Sequence, residues 1–414
     1  MKYDEYPMLP VEEARARILA NFRPLEPETI PILDGLDRVL AEDVYSDMDI
    51  PPLTNTAMDG YAVRSADTAG ASETHPVRLK IVADLAAGYV LDRPVQAGEA
   101  VRIMTGAPMP EGADAVAPFE QVEVEGDEVI LFKPYPQWKN VRHAGEDVRK
   151  GQLVLPRGKV LRAQEIGMLA ALGHPTVQVH RRPRVAVLST GDEVIDVTDP
   201  WQPGKIRDAN GYSVSALILK YGGEPVRLGI APDTIEALTE KMREALDLGV
   251  DFILTSGGVS MGDFDVVKKV LASEGEMHFW RARMKPGKPM AFGEIQGVPL
   301  LGLPGNPVSS MISFELFARP AILTMLGKKK LEKPVIDAIL AEPVKRKDNR
   351  RHYLRVWLEE KDGQTYAHLT GDQGSGILLS MVQADGLAII PEELNSTPPD
   401  FPVKVMILDW PEVA

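Results

Sequence analysis

Between Arg184 and Leu326, short apolar runs alternate with stretches whose apolar residues recur at helical spacing, and this alternation limits the fold more than any other feature. Residues 185–188 and 225–230 are strand-like, while Val214, Leu217, Ile218 and Tyr221 form a helical stripe that Gly222-Gly223 stops. A second stripe, Leu238, Met242 and Ala245, follows Asp233-Thr234-Ile235-Glu236, an aspartate version of a capping box. Such a pattern predicts an α/β unit whose functional loops gather at the carboxyl ends of its strands.

At the centre of that unit an apolar run, residues 250–254, leads into Thr255-Ser256-Gly257-Gly258-Val259-Ser260-Met261-Gly262-Asp263-Phe264-Asp265. Helical spacing then resumes at Val266, Val267, Val270 and Leu271. Strand, glycine loop, helix is a cradle suited to phosphate or another oxyanion, because peptide N–H groups and the positive helix end converge there. Asp263 and Asp265 would repel the anion unless a hard cation such as Mg2+ lay between them. The loop by itself reads equally well as a tight turn with an aspartate capping the helix.

Much chemistry is excluded. The chain has no cysteine, and its seven histidines show no H-x-H or H-x-x-x-H spacing, so thiolate and histidine metal sites lack ligands. G-x-G-x-x-G, the P-loop and G-x-S-x-G are all missing. A formal charge of −14 argues against nucleic-acid binding and leaves an anionic ligand dependent on local cations. The first residues hold no apolar signal core, and prolines break the longest uncharged run, residues 295–314. A cytoplasmic protein with no membrane span is the expectation.

Outside the α/β unit, Val11, Ala14, Ile18 and Phe22 mark an opening helix. Residues 55–144 read as short strands between turn-rich loops, and residues 163–172 as a helix. From Pro334 strands return: Leu354, Val356 and Leu358 alternate with Arg355, Trp357 and Glu359, which places Arg355 on the outer face of a small barrel or sandwich.

Four features bear on chemistry. Asp192 and Glu193 end the first strand and, with Asp263 and Asp265, form a set of oxygen ligands for Mg2+. Lys285 and Lys288 flank Pro286-Gly287, a stiff turn that fixes two cations. Pro304-Gly305-Asn306-Pro307 sets rigid backbone at a helix start. Arg350, Arg351 and Arg355 crowd one stretch, and Gly374-Ser375-Gly376 offers a hydroxyl; solvated loops and strand edges are the plain alternative for these.

Seven motifs stand in one order: Met58-Asp59-Gly60-Tyr61-Ala62, Arg102-Ile103-Met104-Thr105-Gly106-Ala107, Gly145-Glu146-Asp147, Ser189-Thr190-Gly191-Asp192-Glu193, Ser256-Gly257-Gly258-Val259-Ser260, Lys285-Pro286-Gly287-Lys288-Pro289 and Leu303-Pro304-Gly305-Asn306-Pro307. The ordered set resembles the MoeA family of molybdopterin molybdenumtransferases, which includes the gephyrin E domain, over nearly the whole chain. The resemblance implies a multidomain α/β plus β fold: a discontinuous N-terminal helical segment (1–46 and 146–180), an inserted β domain (47–145), a three-layer α/β molybdopterin-binding domain (181–328) and a C-terminal β-barrel (329–414).

It further implies insertion of molybdate into adenylylated molybdopterin, with Mg2+-dependent pyrophosphate cleavage and AMP release, by a homodimer with a shared active site. Asp59, Thr105, Asp147, Glu193, Asp233 and Asp265 look like its catalytic positions, with Asp192, Glu193, Asp263 and Asp265 toward the metal. Ser256, Gly257, Gly258, Ser260, Lys285, Lys288, Pro304, Asn306 and Pro307 look like substrate binders; Arg350, rather than Arg351, and Ser375 look like the molybdate pocket. An adenylyltransferase and molybdoenzyme chaperones are the protein partners that the family suggests. Two alternatives stay open: a molybdopterin adenylyltransferase, and a gephyrin-like scaffold without activity.

Overall fold

The structure is a computed structural model and describes residues 8–257, 275–346 and 348–409, with the main chain alone for residues 275–280. The chain divides into two units. One holds residues up to 41, 160–162 and those from 176 onward; the other holds residues 42–159 and 163–175.

In the first unit the predicted alternation becomes a three-layer α/β arrangement. Four parallel strands lie in the spatial order Glu224–Ala231, Arg184–Thr190, Phe252–Ser256, Val298–Leu303. The first strand in sequence therefore sits between the second and the third, and the connecting helices fall on opposite faces of the sheet. Alternate side chains record this directly. Val185, Val187, Phe252 and Leu254 pack with helix Ala209–Lys220, and Ala186, Leu188 and Ile253 pack with helix Ile235–Asp247. Each fully buried side chain of this size contributes roughly 1.5–3 kcal/mol through apolar burial. The sheet extends antiparallel through Pro289–Ile295 and Gly275–Ala282, and Met8–Leu9 adds a parallel edge. The opening helix, Val11–Leu19, buries Val11, Ala14 and Ile18 in the same core as helix Ala209–Lys220.

Toward the C-terminus five strands close into a barrel: Arg351–Lys361, Gln364–Leu369, Val335–Leu340, Phe401–Ile407 and Gly386–Ile390, with the last pairing back onto the first. Leu340, Val356, Ala388 and Val405 fill it. Met284–Lys285 pairs in parallel with Arg351 and His352, so one barrel strand fixes the chain that carries Lys285.

The second unit is built on a six-stranded sheet, in the order Ala115–Pro118, Gly60–Val63, Glu99–Ile103, Val77–Leu85, Glu128–Leu131, Val122–Glu125. Gly60 has a plain reason to be glycine: a Cβ there would lie 2.2 Å from the Ala117 carbonyl oxygen. Helix Ala163–Ala171 belongs to this unit. Among the described residues no helix is long and apolar enough to cross a membrane.

Candidate functional site

A reversal of strand order leaves a crevice at the carboxyl ends of the strands on either side of it. Here those ends are Ser189-Thr190 and Ser256-Gly257, and a cleft of about 1290 Å³ opens beside them. Glu193, Asp233, Ser256, Gly257, Lys285, Lys288, Pro304, Asn306, Pro307, Arg350 and Ser375 all line it, so the first unit brings most of the expected residues of residues 184–376 to one place. Gly258, Ser260, Asp263 and Asp265 lie outside the described residues.

The role of Gly257 differs from a simple phosphate cradle. Its N–H donates to the Leu303 carbonyl at 3.2 Å and so belongs to the sheet. What it supplies is clearance: φ is +92°, and a Cβ would stand 2.7 Å from the Thr190 carbonyl oxygen. The main chain of Gly305 can then approach, and a Cβ on Gly305 would meet the Gly257 Cα at 3.5 Å. Pro307 takes the first position of helix Pro307–Ser313, with Asn306 as a cap residue whose side chain makes no capping bond. The Val308 N–H donates to the Ser375 carbonyl at 3.2 Å, which ties the barrel loop to this helix start.

On the acidic side, Glu193 is exposed and its carboxylate folds over Gly191, where an added Cβ would come within 2.7 Å of it. Asp192 turns elsewhere, accepting a 3.3 Å hydrogen bond from the Asp233 N–H. The expected capping box is corrected by one residue. Thr234, with extended backbone, caps helix Ile235–Asp247 by accepting from the Ala237 N–H at 3.3 Å, and Asp233 instead faces the cleft. Among the described residues no three His, Asp or Glu side chains form a group able to hold a metal by themselves. Two carboxylates, Glu193 and Asp233, do line the cleft, and Mg2+ commonly takes only one or two carboxylates from a protein, with substrate phosphates and water completing its shell.

On the basic side, Lys285 is exposed at the cleft wall. Arg350 reaches the cleft while paired with Asp348 at 2.5 Å. Arg351 points away, bonded to Glu12 and, at 3.0 Å, to Glu392. Arg355 stands on the outer face, as the alternation predicts, but not in solvent. It is only 1% exposed, because the loop 372–376 folds over that face of the barrel strand. Its guanidinium donates to Ser380 Oγ at 3.0 Å and to the Gly374 carbonyl at 3.1 Å, and its N–H meets Gln373 Oε1 at 2.8 Å. Burial pulls the Arg355 pKa down to about 10. Asp208, another cleft residue that sequence patterning did not single out, caps helix Ala209–Lys220.

Asp59, Thr105 and Asp147 belong to the second unit and are exposed there. Strands Gly60–Val63 and Glu99–Ile103 are antiparallel with Gly60 opposite Ile103, so Asp59 and Thr105 emerge at the same end. The Thr105 hydroxyl and N–H both bond to Asp59 and hold its carboxyl below the usual carboxylate range. Asp147 donates its N–H to the Ile50 carbonyl at 3.0 Å.

Comparison with known proteins accounts for both units. Residues 9–173 match the MoeA N-terminal region (domain I and II), 186–324 match a family described as "probable molybdopterin binding domain", and 337–408 match the MoeA C-terminal region (domain IV). A Haemophilus influenzae protein named molybdopterin molybdenumtransferase is 37% identical over 390 residues, covering 93% of this chain and 95% of its own. One crystal structure of a molybdopterin biosynthesis MoeA protein from Pyrococcus horikoshii superposes with a TM-score of 0.85 at 35% identity, covering 98% of this chain and 100% of that one. A second has a TM-score of 0.81 at 31% identity, covering 97% and 100%. The chain belongs to the MoeA family.

Proposed function

We propose that the chain is a molybdopterin molybdenumtransferase, inserting molybdate into the dithiolene of adenylylated molybdopterin with Mg2+-dependent pyrophosphate cleavage and release of AMP. The observation that carries this reading is the gathering of Glu193, Gly257, Lys285, Arg350 and Ser375 around one cleft. The name of the Haemophilus influenzae relative supports the same activity.

The cleft offers two kinds of anion-binding group. Lys285 and Lys288 give a pyrophosphate fixed positive charge in an acidic chain, and Ser256, Gly305 and Asn306 line the same cleft. Glu193 and Asp233, with the expected Asp263 and Asp265, would hold Mg2+, whose charge offsets both the acids and the phosphates, while Asp192 steadies Asp233 through its main-chain N–H. Arg350 and Ser375 suit molybdate, a separate dianion. Atoms balance: anhydride cleavage consumes one water, and molybdate gives up one oxygen as water with the two thiol protons as sulfur replaces it. In a homodimer, Asp59 and Thr105 of each chain would serve the cleft of the partner subunit, with Asp147 a further acidic position of the family pattern.

Incubation of the purified protein with adenylylated molybdopterin, Mg2+ and molybdate tests this reading. Molybdate-stimulated AMP release is the expected result. Pyrophosphate production from ATP and molybdopterin would assign an adenylyltransferase instead, and no turnover at all would favour the scaffold.

A further inference from the structure

The first turn of helix Ala209–Lys220 is tied to three strand tips at once. Asp208 Oδ1 accepts from the Gly211 N–H at 2.7 Å and from Ser189 Oγ, at the end of the first strand, at 2.8 Å. Two residues on, Asn210 Nδ2 donates to Ser256 Oγ at 2.7 Å and to the Gly305 carbonyl at 2.7 Å. Ser256 ends its strand, and Gly305 follows the strand Val298–Leu303. The amide orientation is dictated by chemistry, since a carbonyl can only accept and the nitrogen must therefore face Gly305.

Asn210 is only 9% exposed, lines the cleft, and leaves its Oδ1 buried with no hydrogen-bond partner among the described residues. An orphaned buried acceptor costs stability, so this arrangement is not the one that fold stability alone would favour. Its local consequence lies at Ser256. That hydroxyl accepts from Asn210, and no acceptor for its own proton is present among the described residues.

We propose that Asn210 is a positioning residue for the transfer reaction: by occupying a lone pair of Ser256 it aims the Ser256 proton at a phosphate oxygen of the bound pyrophosphate, and its bond to the Gly305 carbonyl holds the amide in the orientation that does so. The proposal rests on the reading of the cleft as a pyrophosphate site. A carboxylate at position 210 would reverse the polarity, taking the Ser256 proton and facing the Gly305 carbonyl with like charge.

The test is a double-mutant cycle on molybdate-stimulated AMP release, using Asn210→Ala, Ser256→Ala and the double variant, together with the affinity of each for inorganic pyrophosphate. Each single substitution is expected to lower kcat roughly tenfold to a hundredfold, the scale of one hydrogen bond to a charged group. Asn210→Ala should add less than about threefold in the Ser256→Ala background, because the residues act as one unit. Asn210→Asp, which keeps the side-chain shape, should be at least as slow as Asn210→Ala. Losses that multiply fully would overturn the positioning role while leaving the cleft assignment intact. Unchanged pyrophosphate affinity in Ser256→Ala would also overturn it, and this variant does not depend on how substitutions at position 210 fold. A wild-type protein that neither turns over nor binds pyrophosphate overturns both readings.

Discussion

Asp59 Oδ1 accepts two hydrogen bonds from one residue, Thr105: the N–H at 2.7 Å and the hydroxyl at 2.6 Å. Thr105→Val removes the hydroxyl and keeps the peptide donor. The Asp59 pKa should then rise toward the ordinary carboxylate value, as followed by carboxyl carbon NMR shifts. Both residues are exposed, so stability should be essentially unchanged while turnover falls.

Two cleft glycines should respond differently to the same added methyl group. Gly257→Ala forces a left-handed backbone on alanine and sets its Cβ against Thr190, so a loss of about 1–3 kcal/mol is expected in urea denaturation. At Gly305 the Cβ meets only an ordinary contact at 3.5 Å. Gly305→Ala should therefore fold with near-normal stability and show its effect in substrate affinity.

Neighbouring arginines separate binding from architecture. Arg350 is half-buried with one carboxylate partner, so Arg350→Ala should cost about 1 kcal/mol or less in stability but weaken molybdate binding, measured by titration calorimetry, about tenfold or more. Arg355→Met leaves the buried Ser380 hydroxyl and the part-buried Gly374 carbonyl without their donor. It should cost about 2–4 kcal/mol, and molybdate affinity should fall with it as the loop that carries Ser375 loosens.

Acid should act through His352 and Asp348, which are 2.7 Å apart. Burial lowers the His352 pKa from its ordinary 6.5 although Asp348 pulls it upward. Burial raises Asp348, but the bonds from His352 and Arg350 outweigh it and bring its pKa down to about 2. Both folded values lie below the unfolded ones, so the unfolded chain binds protons first as pH falls. The His352 contribution is therefore complete above 6.5 and is lost as pH falls through its lower folded value. That of Asp348 is complete above 3.8 and is lost as pH approaches about 2. Denaturation midpoints measured from pH 7.5 downward should show the first loss in the wild type and a smaller one in His352→Gln.

Much of this architecture was legible because it rests on local periodicity. Alternating apolar runs gave the three-layer unit, and the order of its strands then placed the cleft. The residues that were harder to read depend on contacts distant in sequence. Arg355 sits at an outward position of its strand and is buried only because loop 372–376 closes over it. Gly257 looked like a peptide donor until the partner of its N–H, Leu303, came from a strand 46 positions later in the chain. Thr234 and Asp233 compete for one cap; the local spacing to Glu236 favours Asp233, and the extended backbone of Thr234 decides it the other way. Asn210 lacked any motif, since its significance comes from two strand tips that only the fold brings to it.

The central claim is that pyrophosphate and molybdate share the cleft at the strand tips, and crystals grown with AMP, Mg2+ and molybdate test it most directly through anomalous scattering at the molybdenum edge. The account predicts a molybdenum peak beside Arg350 and Ser375 and the AMP phosphate near Lys285 and Ser256. A molybdenum peak or an AMP phosphate located at saturating ligand outside this cleft would contradict it.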